Sequence, residues 1–335
     1  MKKHKMLSTI LLIFVILFII LIIPFFIYLG FPPEKSDILW GVNFSQKHTQ
    51  NLDLNWKDVY LSLLKDLKTK NIKIGVHWDL IEPEKGKYNF DDLDWQIREA
   101  EKENAKIILV IGYKVPRWPE CHFPHWVNFN NNDLGFDTSD FLSYLEKVVN
   151  RYKNSSAIWA WQLENEPFFP FGNCPKFDEE LFKKEINLVK YFDPDRPIIV
   201  SESGEFSLWF KAARYGDIVG VTMYKKAWFK EIKKYFSYPF SPFFYWFKQQ
   251  LVKKIFNKDV ICIELQAEPW GSVLLYDLPI TEQEKTMDLK QFQKNIKFAK
   301  RTGFDTIYLW GAEWWYWLKE RHNKPEMWEE AKKLF

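Results

Sequence analysis

The feature that most constrains this chain is an alternation repeated eight times between residues 38 and 335. Short apolar runs read, in order, ILWGVNF, IKIGVHW, KIILVIG, AIWAWQL, PIIVSES, DIVGVTM, VICIEL and DTIYLWG. Between them lie longer stretches with apolar residues at helical spacing: WKDVYLSLLKDLKTK, FDDLDWQIREAEKEN, TSDFLSYLEKVVNRY, DEELFKKEINLVKYF, FSLWFKAARYG, YWFKQQLVKKIF and LKQFQKNIKFAKRTG, with KPEMWEEAKKLF closing the chain. Runs rich in Val and Ile, bounded by polar turns, read as strands, and their regular alternation with helices implies parallel pairing through crossover helices. Eight such units in 335 residues predict an α/β fold of the closed (β/α)8 barrel type. No Gly-rich phosphate loop, internal repeat or low-complexity linker interrupts the pattern.

What precedes the barrel is of another kind. Leu7–Gly30 is uncharged throughout and follows MKKHK. About 20 apolar residues cross a bilayer, no small-residue cleavage site follows, and lysines ahead of the span favour a cytoplasmic N-terminus. The expectation is one N-terminal transmembrane helix. Residues 1–36 would then be a basic stub, anchor and short linker, and 37–335 a catalytic domain outside the cytoplasm. The formal net charge of +3 resides entirely in that first segment, where Lys2, Lys3, Lys5 and Lys35 stand against Glu34. The barrel itself is balanced, which gives no footprint for nucleic acid, and no obligate protein partner is evident. In the sixth unit, YFSYPFSPFFYWFK reads as a loop and helix start packed on the barrel, or as a patch at a membrane interface, where aromatic rings are favoured. Of three cysteines, Cys262 lies in an apolar run, while Cys121 and Cys174 fall in loops after strands. Outside the cytosol those two can pair, although the sequence does not set their separation.

In barrels of this type the chemistry sits at the C-terminal ends of the strands. Those ends carry Asn43 and Ser45, Lys73 and His77, Tyr113 and Trp118, Asn165 and Glu166, Glu202, Tyr224, Glu264 and Trp310. Carboxylates on the fourth and seventh strands of a ring of eight can face each other across the mouth. Two such groups flanking a bond suit glycoside hydrolysis, one protonated to release the leaving group and one ionised to attack or to activate water. Spacing alone does not say which is which.

The chain resembles the retaining glycoside hydrolases of clan A, which are built on a TIM barrel. ENEP at 164–167 resembles the Asn-Glu-Pro that ends their fourth strand, and CIELQAEPW at 262–270 the segment holding their seventh-strand glutamate. WDLIEPEKGKYNFDDLDWQI at 78–97 is similar to the second unit of the cellulase-like and β-galactosidase-like branches. The resemblance implies Glu166 as acid/base, Glu264 as nucleophile, Asn165 on the sugar's 2-hydroxyl, Tyr224 beside the nucleophile and Trp310 as a sugar platform. It also implies double displacement on a β-linked oligosaccharide, polysaccharide or glycoconjugate, with no cofactor and no metal. The carboxyl groups of such a pair stand about 5–5.5 Å apart, against about 6.5–9.5 Å in inverting enzymes. One departure is Lys73, which stands where many members carry an arginine that contacts the nucleophile. A lysine supplies the charge without the planar fork.

Within the site, Glu268 rivals Glu264 and Glu164 rivals Glu166. Glu202, Glu205 and Glu313 read either as hydroxyl-binding groups or as solvated rim carboxylates. Trp118 and His122 are candidates for an outer sugar subsite, and His77 reads as a hydrogen-bonded strand-end histidine. Other functions remain open: transglycosylation through the same intermediate, a non-catalytic glycan-binding barrel on the cell surface, or metal-dependent hydrolysis using His77, His122 and His125.

Overall fold

The computed structural model describes residues 34–127 and 136–335, together with 16 and 32 singly. Eight parallel strands close into a barrel: β1 (Leu39–Phe44), β2 (Asn71–Gly75), β3 (Lys106–Ile111), β4 (Ile158–Leu163), β5 (Ile198–Glu202), β6 (Ile218–Met223), β9 (Asp259–Gln266) and β10 (Thr306–Trp310). Around it lie α1 (Trp56–Lys65), α2 (Asp91–Lys102), α3 (Thr138–Tyr152), α4 (Glu179–Phe192), α5 (Phe210–Tyr215), α6 (Pro242–Phe256), α7 (Leu289–Ala299) and α8 (Ala312–His322), with α9 (Glu326–Lys332) behind α8. Side-chain oxygens of Asn55, Asp137, Asp178 and Asp288 cap the starts of α1, α3, α4 and α7 by accepting from backbone N–H groups, which satisfies donors a helix start leaves unpaired.

Two cores follow from the period-two alternation of strand side chains. Outward-facing residues such as Val42, Ile72, Ile74, Val200 and Val221 pack beneath the helices. Ile108, Ala160, Ile199, Ile261, Ile263 and Tyr308 fill the barrel interior. Gly41 makes room there, since a Cβ on it would come within 2.6 Å of the Tyr308 ring.

Three local expectations differ from the structure. The eighth crossover helix is α8, AEWWYWLKERH, whose aromatic density hides its helical period; the closing segment forms the extra α9. α5 is shorter than expected because the Ser207 hydroxyl accepts from Trp209 N–H at 2.9 Å and Trp209 adopts φ +67°, which holds 207–209 in a turn. An antiparallel hairpin, β7 (Lys226–Phe229) with β8 (Lys234–Ser237), occupies the loop after β6. Its turn contains no glycine, Lys233 taking the left-handed φ of +50° instead, so the usual sequence signal is missing. In the aromatic stretch that follows, Tyr245 and Trp246 are buried against the barrel. Among the described residues no helix is long and apolar enough to cross a membrane; the span expected at residues 7–30 lies outside them.

Candidate active site

A break in alternation sets the direction of Glu264. On β9, Ile261 and Ile263 face the barrel interior and Cys262 faces the helices. Simple alternation would send Glu264 outward. Instead, Val221 and Thr222 of β6 pair with Cys262 and Glu264, so β9 holds one extra residue. The bulge reverses parity: Leu265 now packs outward, and Glu264 turns into the mouth. Bulges commonly re-aim a side chain in this way beside active sites.

Each oxygen of Glu264 has one donor. Lys73 Nζ donates to Oε1 at 2.7 Å, and the Tyr224 hydroxyl donates to Oε2 at 3.0 Å. Lys73 faces inward between the outward Ile72 and Ile74 and is 1% exposed. A buried cation and a hydroxyl donor thus fix both oxygens of the carboxyl group. Glu166 follows β4, with β5 and β6 between that strand and β9; the Thr222 hydroxyl of β6 donates to its Oε1 at 3.1 Å, and its own N–H donates to Ser201 Oγ of β5 at 2.8 Å. Burial and then the charge of Glu264 push its pKa up to about 8. Glu264 is thus held by donors and Glu166 holds a proton, with β5 and β6 between the strands that carry them.

Glu164 and Glu166 are sorted by direction. Both adopt positive φ, +54° and +44°. Glu164 turns back into the wall, accepting from Tyr113 N–H at 3.0 Å and Lys114 N–H at 2.6 Å. Gly112 is required there, because a Cβ would sit 2.3 Å from Glu164 Oε1. Glu202 likewise faces away, accepting from Ser207 and from Ala212 N–H at the start of α5. Glu205 accepts from Tyr224 N–H and from the Tyr245 hydroxyl, both at 2.7 Å, and so braces the strand end that carries Tyr224.

Glu268 and Glu313 do not sit free on a solvated rim. Both are buried and both accept from Arg117, Glu313 Oε2 at 3.0 Å. The Arg117 guanidinium lies 3.9 Å from the centroid of the Trp310 ring, so one face of the expected sugar platform carries an arginine. Trp118 is half exposed beside Phe171 on the rim. His122 is buried: its Nδ1 lies 3.0 Å from Lys47 Nζ, its Nε2 lies 3.1 Å from the Arg117 carbonyl oxygen, and its ring meets that of His77 at 4.4 Å. It supports the loop after β3 from within rather than lining an open subsite. Among the described residues no cluster of His, Cys, Asp or Glu is arranged to hold a metal ion.

The loop after β3 also supplies groups that the sequence reading passed over. Glu120 is buried and accepts from Asn165 Nδ2 at 3.0 Å. Lys114 Nζ donates to the carbonyls of Glu166 and Phe169 at 3.0 and 2.7 Å, fixing the turn that bears the acid. Cys121 and Cys174 form a disulfide, Cα–Cα 5.3 Å, which ties this loop to the one after β4. The signal for Glu120 was its position between a Trp-Pro turn and a loop cysteine, in PRWPECH.

Comparison with known proteins points to glycoside hydrolases. Residues 50–179 match a glycoside hydrolase family described as β-galactosidase, family 42. A probable mannan endo-1,4-β-mannosidase A of Aspergillus niger is 30% identical over 125 residues, which are 33% of this chain and 30% of that protein. The β-galactosidase LacZ of Lactobacillus acidophilus is 26% identical over 157 residues, 42% of this chain and 23% of that one. The chain therefore spans under a third of the length of these curated relatives. In fold, a Bifidobacterium longum GH5_18 protein, solved in complex with Manβ1-4GlcNAc, superposes with a TM-score of 0.58 at 13% identity, covering 82% of this chain and 68% of that one. This chain is a relative of the clan A glycoside hydrolases. In this barrel Glu166 follows the end of β4 and Glu264 lies near the end of β9.

Proposed function

We propose that this protein is a retaining glycosidase acting on β-linked glycans, with Glu264 as nucleophile and Glu166 as acid/base. One observation carries the reading: a carboxyl group held by Lys73 and Tyr224 shares the barrel mouth with a carboxyl whose pKa is raised by burial and by the charge of Glu264. Glu264 attacks the anomeric carbon as the glycosidic C–O bond breaks and Glu166 protonates the departing oxygen. Glu166, now a carboxylate, removes a proton from water, which attacks the same carbon and releases Glu264. Tyr224 and Lys73 hold and aim the nucleophile, and Asn165 is assigned to the sugar's 2-hydroxyl.

Mannan- and galactoside-cleaving relatives support β-mannosides and β-galactosides as the first substrate classes to examine. The apolar Leu7–Gly30 segment and the lysines before it support a single-pass anchor with a cytoplasmic N-terminus. A disulfide in the active-site loops supports placement of the barrel on the oxidising side. The test is a panel of aryl β-glycosides and β-linked polysaccharides, with Glu166→Gln and Glu264→Gln as controls. Hydrolysis by the wild-type protein that both variants lose is expected; turnover that survives in both rejects the assignment.

A further inference from the structure

Aromatic rings from three loops meet at the mouth, and neither half of the proposed reaction uses them. Trp118, in the loop after β3, has its ring centroid 6.3 Å from that of Phe171, in the loop after β4. Phe171 in turn lies 5.8 Å from Trp270, in the loop after β9, and Trp270 meets the Tyr224 ring edge-on at 5.1 Å. Around the barrel, β5 and β6 separate β4 from β9. The Phe171–Trp270 contact therefore does not join neighbouring loops. It spans the ends of the two strands whose Ser201 and Thr222 hold Glu166. Both rings come later in their loops than the strand ends that carry Glu166 and Glu264, so they stand outside the pair.

Filling space between loops is the plainer role for such rings, but these loops are fixed without them. The Cys121–Cys174 disulfide and the Asn173 N–H, which donates to the Pro119 carbonyl at 3.0 Å, join the loops after β3 and β4. Trp270 N–H donates to Thr286 Oγ1 at 3.1 Å, and its carbonyl accepts from Trp228 N–H at 3.2 Å. Phe171 and Trp270 are both half-buried, so they border solvent rather than a closed core. Behind them Phe169 stacks on Phe206 of the loop after β5, with centroids 5.9 Å apart and planes 8° from parallel. Rings in contact have centroids about 4.5–7 Å apart, so no pyranose fits between Phe171 and Trp270. An open groove receives the interior of a glycan from the side. A mouth crossed by a bridge receives a chain only by its end.

We propose that Phe171 and Trp270 form an aromatic bridge across the mouth that confines cleavage to the ends of glycan chains. The proposal rests on the glycosidase reading of the same site and adds the mode of attack: short sugars leave from a chain end, and bonds within the chain are spared. The experiment follows the full-length wild type, Phe171→Ala and Trp270→Ala on soluble β-mannan and β-galactan and on the pentasaccharides of each. It records viscosity against new reducing ends, product lengths, and thermal melting of each protein. The wild type is expected to release one short product while viscosity barely changes. In each variant the viscosity lost per bond cleaved is expected to rise about 10-fold, with products of mixed length. A wild type that cuts either polysaccharide internally from the start overturns the proposal, as do variants that still cut only at chain ends. A wild type that hydrolyses aryl β-glycosides but neither pentasaccharide also overturns it, since the mouth would then admit no chain end. A wild type that cleaves no glycoside of any kind rejects the glycosidase reading itself.

Discussion

Two buried charge centres share the mouth of this barrel, and they are built to opposite ends. In the first, Lys73 faces one carboxylate, Glu264, whose second oxygen takes the Tyr224 hydroxyl. In the second, Arg117 is divided between Glu268 and Glu313 and stacked on Trp310. Both pair a cation with carboxylates away from water. The first leaves a single charged group, oriented and opposite a proton donor. The second consumes its groups in one another: Arg117 holds two acids and an indole, and Glu313 Oε1 also takes Ser45 N–H at 2.7 Å. Burial and charge alone do not suit a carboxyl to the proposed attack; what distinguishes Glu264 is having donors but no second acid sharing its cation.

Substitution of the rival glutamates breaks or sharpens that contrast most strongly. Glu264→Gln is expected to lower kcat by about 10,000-fold or more with the fold intact, since the attacking carboxylate is gone. Glu268→Gln should cost no more than about 30-fold, by loosening Arg117. The reverse order, read from steady-state rates on one aryl glycoside, would exchange the roles of the two centres.

The second centre should matter more to stability than to chemistry. Arg117→Met strands two buried carboxylates and is expected to cost about 3–5 kcal/mol in denaturant unfolding, in line with removing one partner of a buried pair. A loss under about 1 kcal/mol would mean that the arginine is not structural. At the first centre, Tyr224→Phe removes one donor to Glu264 but leaves Lys73, so a 10- to 100-fold fall in kcat is expected. An unchanged kcat would remove the tyrosine from the mechanism.

The last prediction concerns pH. Glu166 and Glu164 are raised to about 8, and Glu120 and Glu205 to about 7, burial being the leading cause for each. The folded protein therefore binds protons that the unfolded chain releases near the ordinary carboxylate range. Their stabilising contribution is complete below about 4.5 and is lost as pH rises through 7 to 8. Melting temperature should fall across that interval, and kcat/KM should decline above about 8 as Glu166 loses its proton. A melting temperature that rises from pH 5 to 8 would contradict these environments.

The barrel was legible because its strands carry their own signal, short Val- and Ile-rich runs between polar turns, and all eight appear where expected. The glutamates were legible as strand-end residues. Their orientations were not. The parity reversal at Ile263 depends on how β9 registers against β6, and Glu164 differs from Glu166 only in which way a positive-φ turn throws the side chain. Arg117 and Glu120 escaped notice because their partners lie 151 and 45 residues away along the chain, and nothing local marks a loop arginine or glutamate as buried. α8 was missed because its tryptophans face several ways, so no stripe emerges.

The most direct test of the paired-glutamate account is the anomer that forms first. Proton NMR of the wild-type protein hydrolysing an aryl β-glycoside, recorded before mutarotation, should show the β-hemiacetal accumulating ahead of the α. An α product appearing first would mean single displacement by water, and Glu264 could not then be the nucleophile.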